Sequence, residues 1–571
     1  MGLQIRSSVA PLLLAGLQLA ACKSGSESSA PAPAPAATAA VDEDSVLLSP
    51  GEQLLRVSMA IRGTRPSLED LEAIETDPGA LEAKADEYLD SQDFGATVRD
   101  LYNEALKLRV PPAIFPAGFA AAGVLSGETL QRINVSVTEA PLRLIEKLVH
   151  DDEPLTKIVT ADYVMADGMV AQVWGLPYTG NGTSWEATHY EDGRPHAGIL
   201  TDSWLYTRHS STFSNKNRGR ANAIARGLLC HDYTERHVEL DATIDLSDPQ
   251  QVANAIEANP SCASCHQTLD PLAAFFGSYY PLFVPSFLTA YPFEGYAPEL
   301  SPLFTVKDPG YFGYPGGDAQ HLGQMIAEDP RFAVCQAKRF YSYFTQVPLN
   351  QVPQEVISRL TPVLTEHWNA KELVKAIVLD PQFLVSHRTR DDEPNEAPSL
   401  LKARPWQLAS AVADLTGFRW QSTIDFNLGY GPIGGVDLMT DALFGFEVVA
   451  GGIDSVNVAL PSHTMTATAS VVLRGLAERA AEHVVDSDAQ YPDSAKLFRE
   501  ITPSETDETA VREQLASLHA AIFAQRVASD SPEVDDAYQL FTQALAAAND
   551  AERAWKLTIS ALLQHPRLAF Y

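Results

Sequence analysis

The sequence predicts a mainly α protein of several regions with few short strands. Three observations carry that reading. Apolar residues recur at spacings of three and four over long stretches, helix-start and helix-stop signals punctuate the chain, and clean period-two runs are scarce. At 571 residues and 61.9 kDa the chain is long enough for three or four domains. A hydrophobic fraction of 45% and a charged fraction of 20% are those of a globular protein. They exclude a collagen-like, wholly disordered or multi-span membrane chain. Lys and Arg number 41 against 73 Asp and Glu, a formal charge of −32. Nucleic acid is excluded as a partner, because phosphate binding requires clustered basic residues. The charge fits a self-repelling soluble surface or one that meets basic partners.

The first 22 residues read as an address. Arg6 supplies a positive charge, Val9 to Leu19 form an apolar stretch too short for a confident membrane span, and Leu19-Ala20-Ala21-Cys22 resembles a bacterial lipobox. The expected product is a lipoprotein acylated on Cys22, and the alternative is a plain secretory signal cut near Ala21. Lys23 after the cysteine favours the outer membrane, so the membrane is met through a lipid anchor alone. Residues 23–46 form a Ser/Ala/Pro tether with no core-forming pattern.

From Leu47 the pattern is helical. Leu68, Leu71, Ile74, Leu81, Tyr88 and Leu89 mark apolar faces between Ser67 and Leu106, with Ser67 as N-cap and Asp70 three residues on. Leu142 to Val149 reads as an amphipathic helix opened by Pro141. Val170 to Leu176, Val448 to Leu460 and Thr468 to Leu473 are the strand candidates. Three stretches share a helix stopped by proline with an apolar residue two beyond: Leu322 to Phe332, Leu373 to Phe383 and Leu557 to Leu568. Gly429 to Gly435 and Gly451 to Ser455 read as turns. Polar, proline-rich breaks divide the body into an N-terminal helical region (47–245), a central module (246–388), a linker (389–399) and a C-terminal, mainly helical region (400–571).

The residues that carry chemistry lie in the central module: Cys262-Ala-Ser-Cys265-His266, followed by Asp270-Pro271. In an exported chain, Cys-x-x-Cys-His reads as covalent attachment of one haem c. Two thiols on one helical turn reach the two vinyl groups, and the adjacent His266 supplies the proximal iron ligand. The module is therefore expected to be a small helical haem module of cytochrome c type. Three alternatives compete. A thioredoxin-like site calls for a preceding strand in a βαβ unit. A zinc site calls for a second ligand pair. The third is a Cys262–Cys265 disulfide. With Cys22 assigned to lipid and Cys262 and Cys265 to haem, Cys230 and Cys335 remain, and in an oxidising compartment a disulfide between them is expected. Two buried thiols are the alternative.

The distal iron ligand is not fixed. Met325 or, one turn earlier, His321 is the expectation. His196, His209 and His231 are further candidates, and an open sixth position would imply ligand or peroxide chemistry. Met165 and Met169 read as a core stripe. The chain has no His-Glu-x-x-His, Walker or Gly-x-Ser-x-Gly motif, so no catalytic residue is assigned.

Several stretches resemble a family of large exported haem c proteins of myxobacteria and planctomycetes, domain-of-unknown-function proteins carrying a planctomycete-type cytochrome c module. They are Arg56 to Pro66 with Ser67 to Leu71, Pro154 to Tyr163, His196 to Thr201, Asn215 to Arg220 and Arg226 to Leu229. The most specific is Cys262 to His266 with Asp270-Pro271 and Phe275, and Asp329 to Phe332 with Cys335 follows. Leu443 to Ser455 is a weaker likeness. The resemblance implies a helical, secreted haem protein and carries over roles for Cys262, Cys265 and His266. The expectation is an outer-membrane lipoprotein that transfers electrons to a redox partner through a single haem. A haem-dependent extracellular oxidoreductase of peroxidase or oxidase type, or a binding or scaffold protein with a structural haem, is the alternative.

Overall fold

Helix signals set most of the architecture. The computed structural model describes residues 44–110, 125, 128–235, 243–245, 247–279, 291–293, 295–389, 400–425 and 432–571. The signal stretch with Cys22, the tether up to residue 43 and linker residues 390–399 lie outside the described residues. Among the described residues the fold is mainly α, with 58% helix in 22 helices and 6% strand. The strands among these residues form four two-stranded antiparallel sheets.

Ser49 and Ser67 start the first two helices, Pro50–Arg62 and Leu68–Thr76, by the same device. Each hydroxyl accepts from the N–H three residues on, and the carboxylate there, Glu52 or Asp70, accepts from the serine N–H. The first helix stops at Gly63, whose φ of 68° is left-handed and whose missing Cβ leaves room for the Trp406 ring. Helices Leu81–Asp90, Phe94–Leu106 and Leu130–His150 follow. Their apolar faces, including Leu54, Val57, Leu71, Tyr88 and Leu101, meet in one core.

The three proline-ended stretches are helix junctions. Asp329 ends Ala319–Glu328 and caps Pro330–Thr345, and His565 caps Pro566–Ala569 just after Ala551–Leu563. In two of the three, proline thus opens the next helix rather than only closing the last. The apolar residue two beyond, Phe332, Phe383 or Leu568, is buried in each.

Five expectations are corrected. Pro141 does not open a helix: it lies inside Leu130–His150, which starts about three turns earlier at the Thr129 N-cap. Val170 to Trp174 belongs to helix Gly168–Trp174, bounded by the Asp167 cap and a left-handed Gly175. Thr468 to Leu473 opens helix Ala467–Gln490, whose buried Val472, Leu476, Ala480 and Val484 follow helical spacing. Val448 to Leu460 is turn and irregular chain, tightened where the Gly451 N–H donates to Val448 O at 3.0 Å. Pro432 to Gly435, read as part of a turn, belongs to strand Pro432–Asp437, paired with Gln421–Asp425.

The described residues cluster as one unit, whose regions are tied across long sequence distances. Strand Ser45–Leu47 pairs with Val385–Arg388. Arg56, 1% exposed, donates to the Phe383 and Val385 carbonyls at 2.8 and 3.0 Å. Arg65 reaches the Arg567 and Leu568 carbonyls, and Leu401 and Tyr571 exchange backbone hydrogen bonds. Among the described residues no helix is long and apolar enough to cross a membrane.

Candidate functional site

The Cys-x-x-Cys-His motif lies on helix Pro260–Ala274. Pro260 occupies the first turn, where its missing N–H costs nothing, and the Asn259 side chain caps the Ser261 N–H. Asn259 also ends the preceding helix, Pro249–Ala258, so two helices meet at one residue. The motif helix packs chiefly on Pro249–Ala258, on Arg218–Leu229 and on strand Gly310–Tyr311. Phe275 closes it, and its ring lies so near Gly316 that a Cβ there would approach within 2.1 Å.

Helical spacing puts Cys262 and Cys265 one turn apart. Neither is in a disulfide; Cys262 is half-buried and Cys265 buried. Cys230 and Cys335 form a disulfide with a Cα–Cα distance of 5.3 Å, within the normal range. That bond ties the end of Arg218–Leu229 to helix Pro330–Thr345.

His266 and Asp270, four residues apart, face each other on the motif helix. The His266 Nδ1–H donates to Asp270 Oδ1 at 2.9 Å, since a carboxylate can only accept. Asp270 is 2% exposed. It also receives a two-pronged contact from Arg218, at the start of the neighbouring helix: Nε to Oδ1 at 2.6 Å and Nη2 to Oδ2 at 3.0 Å. Burial works to raise the Asp270 pKa. Hydrogen bonds from His266 and Arg218, with the positive charge of Arg218, outweigh it and hold the carboxyl below the usual carboxylate range. With Nδ1 committed, Nε2 is the nitrogen left to act as a ligand.

The distal candidates are dispersed. His321 is exposed, and its Nδ1 accepts from the Gly317 N–H at 3.1 Å. Met325 is half-buried on the same helix, Ala319–Glu328. That helix packs chiefly on Lys157–Thr160 and Gly198–Thr201, a different set of partners from those of the motif helix. His209 sits against the Leu106 carbonyl, with Nε2 3.2 Å away, and burial beside Arg208 drives its pKa down to about 3. His196 lies edge-on to His189. His231 is connected to the motif helix through Tyr233: its ring meets Tyr233 edge-on at 4.5 Å, and the Tyr233 hydroxyl donates to Thr268 Oγ1 at 3.1 Å. Met169 is a core residue, and Met165, also buried, reaches the wall of a cleft described below.

With this geometry in view, comparison with known proteins is informative over one stretch. Residues 196–282 match PSCyt3, a protein of unknown function (DUF1588). PSCyt3 is a planctomycete cytochrome c-type domain. The PSCyt3 stretch holds Arg218, Cys230, Cys262, Cys265, His266 and Asp270, and leaves out His321, Met325 and Cys335. It runs across the division expected at 245/246. Neither a curated protein nor a solved structure matches the chain.

Two features had no reading in the sequence. Arg218 lies 52 positions from Asp270 and carries no local signal, whereas the His266–Asp270 spacing of four was visible. The second is a cleft of about 1240 Å³ between the N-terminal helices and the region after Trp406, lined by none of the PSCyt3 residues. Arg143, Glu146, Arg99, Glu139 and Arg109 run along it as an alternating ladder of ion pairs. Burial would raise the Glu139 pKa, but Arg109 and Arg99 bring it down to about 2. Glu447 faces the opposite balance: burial drives its carboxyl well up, reinforced by Asp100 and Asp441.

Proposed function

We propose that the protein is an exported c-type haem lipoprotein that transfers electrons through one haem. Cys262 and Cys265 hold the porphyrin as thioethers, and His266 Nε2 ligates the iron. The observation that carries this is the state of the cysteines. The two motif cysteines are outside any disulfide and one turn apart beside a histidine whose Nδ1 is committed, while Cys230 and Cys335 are bonded to each other. This donor set suits haem c, which asks the chain for two thiols and one nitrogen and brings four nitrogens of its own. When bound, the group supplies a one-electron couple. The chain's part is to anchor it at two points, hold the His266 ring and exclude water with the packing around Cys265. Cys22 anchors the protein to the outer membrane, and the acidic surface suits a basic redox partner.

A second reading is favoured by the cleft. Its charged walls belong to a binding site for a polar ligand, and since no motif residue lines it, the haem would be structural or act at a distance.

The test is an optical spectrum of the full chain made with a cytochrome c maturation apparatus, reduced and then exposed to carbon monoxide. Sharp reduced bands that carbon monoxide leaves unchanged are expected for electron transfer with two strong ligands. A shift with carbon monoxide would overturn electron transfer in favour of an open sixth position. Absence of covalent haem would overturn the whole reading.

A further inference from the structure

The attachment motif requires two cysteines and a histidine, and nothing in it requires a buried carboxylate on the histidine's far nitrogen. Here that nitrogen has one. Asp270 Oδ1 lies 2.9 Å from His266 Nδ1, and Asp270 is clamped by both prongs of Arg218 from another helix. We propose that Asp270, fixed by Arg218, is the positioning residue of the His266 ligand: it sets the ring's tautomer and orientation and lowers the reduction potential of the haem held there. The inference rests on the haem reading above and deepens it.

The physical chain is short. A neutral imidazole has one N–H, and the carboxylate takes it at Nδ1, leaving the lone pair on Nε2. Sharing that proton with an anion gives the ring more anionic character and makes Nε2 a stronger donor, which favours the ferric over the ferrous state. Burial strengthens the effect, because at 2% exposure water does not screen the carboxylate. Arg218 acts in the other direction. Its guanidinium draws charge from the same carboxylate, and its Nε meets the same Oδ1 that His266 uses, at 2.6 Å. Donor strength at Nε2 is therefore graded by how much negative charge Asp270 has left to share. Removing the carboxylate raises the potential, and removing the arginine lowers it.

This ordering separates electronic control from simple support. If Asp270 and Arg218 served only to hold the helix, both substitutions would loosen the ring and move the potential in the same direction.

The experiment is potentiometric titration of the full, haem-loaded chain in three forms: wild type, Asp270→Asn and Arg218→Gln. Covalent loading of each is first checked by haem staining on a denaturing gel. Asparagine keeps the size and accepts a weaker, uncharged hydrogen bond. The expected result is a shift of about tenfold in the ferric/ferrous equilibrium toward the ferrous state for Asp270→Asn, about 59 mV upward for one electron. Arg218→Gln is expected to shift the potential downward, and Asp270→Glu to restore it toward wild type. If Asp270→Asn does not fold or load, Arg218→Gln decides: a potential below wild type supports the proposal and one at or above it overturns it. Loaded variants with unchanged potentials, or potentials moved in the same direction, overturn the role of Asp270 while the haem reading stands. A wild-type chain that takes no covalent haem overturns both.

Discussion

Removing the Cys230–Cys335 disulfide should cost the protein several kcal/mol while leaving a covalently held haem in place. The bond closes a loop with a sequence separation of 105. In the chain-entropy treatment such a loop removes about 16 cal/mol/K from the unfolded ensemble, about 4.8 kcal/mol at 25 °C. That is a ceiling, because the unfolded chain retains structure, and about 2–4 kcal/mol is the expected loss. The bond also joins the end of the Arg218–Leu229 helix, which carries Arg218, to helix Pro330–Thr345, with Cys335 fully buried. The assay is urea denaturation of wild type, with and without reductant, beside Cys230→Ala/Cys335→Ala. Reductant should lower the wild-type midpoint to that of the double variant and leave the variant unaffected. Thioethers are not reducible by thiols, so haem staining should survive in every sample. A loss below about 1 kcal/mol would refute the loop-entropy argument, and a variant that responds to reductant would refute the assignment of the bond.

Other perturbations test the packing and the charges around the site. Gly323→Ala would place a Cβ 2.0 Å from the Val159 carbonyl oxygen, a backbone atom that cannot swing aside, and should lower the thermal midpoint by the equivalent of about 1–3 kcal/mol. Arg56→Met strips the Phe383 and Val385 carbonyls of their buried donor and should cost about 2–3 kcal/mol in urea denaturation, with an unchanged midpoint contradicting the tie. His209 has a folded pKa of about 3 against an ordinary 6.5, so the unfolded chain binds a proton that the folded chain refuses between those values. Its contribution to stability is present above about pH 6.5 and is lost on acidification toward about pH 3, by up to about 1.4 kcal/mol per pH unit. His209→Gln should flatten the urea midpoint's dependence on pH in that window, and an unaltered slope would show that His209 is charged in the folded protein.

Much of the fold was legible because helix ends are written locally. Ser67 with Asp70, and the prolines at 330, 381 and 566, mark boundaries whatever lies around them. The errors came where composition and context disagree. The β-branched and apolar run Thr468 to Leu473 has strand character by itself. It is carried into a helix by a register of buried residues that continues to Val485. Val170 to Trp174 is the same case on a shorter scale, with the deciding signals at Asp167 and Gly175 just outside the window. Pro141 is a start signal by rule, yet the Thr129 cap and the buried Ile133 and Val137 had already committed that segment to helix. At the site, Cys262, Cys265, His266 and Asp270 share one helix and could be read together. Arg218 comes from a separate helix, and only the tertiary fold brings it to Asp270. The cleft ladder was equally hidden, because Arg99, Arg109, Glu139 and Glu146 read as ordinary charged residues in an acidic chain until the tertiary fold sets them side by side.

The central claim is covalent haem at Cys262 and Cys265, and the most direct measurement is mass spectrometry of the peptide spanning Pro260 to Asp270 from the exported, mature protein. The account predicts that this peptide carries the mass of one haem and that neither thiol reacts with an alkylating agent. A peptide of unmodified mass with both thiols alkylated would contradict it.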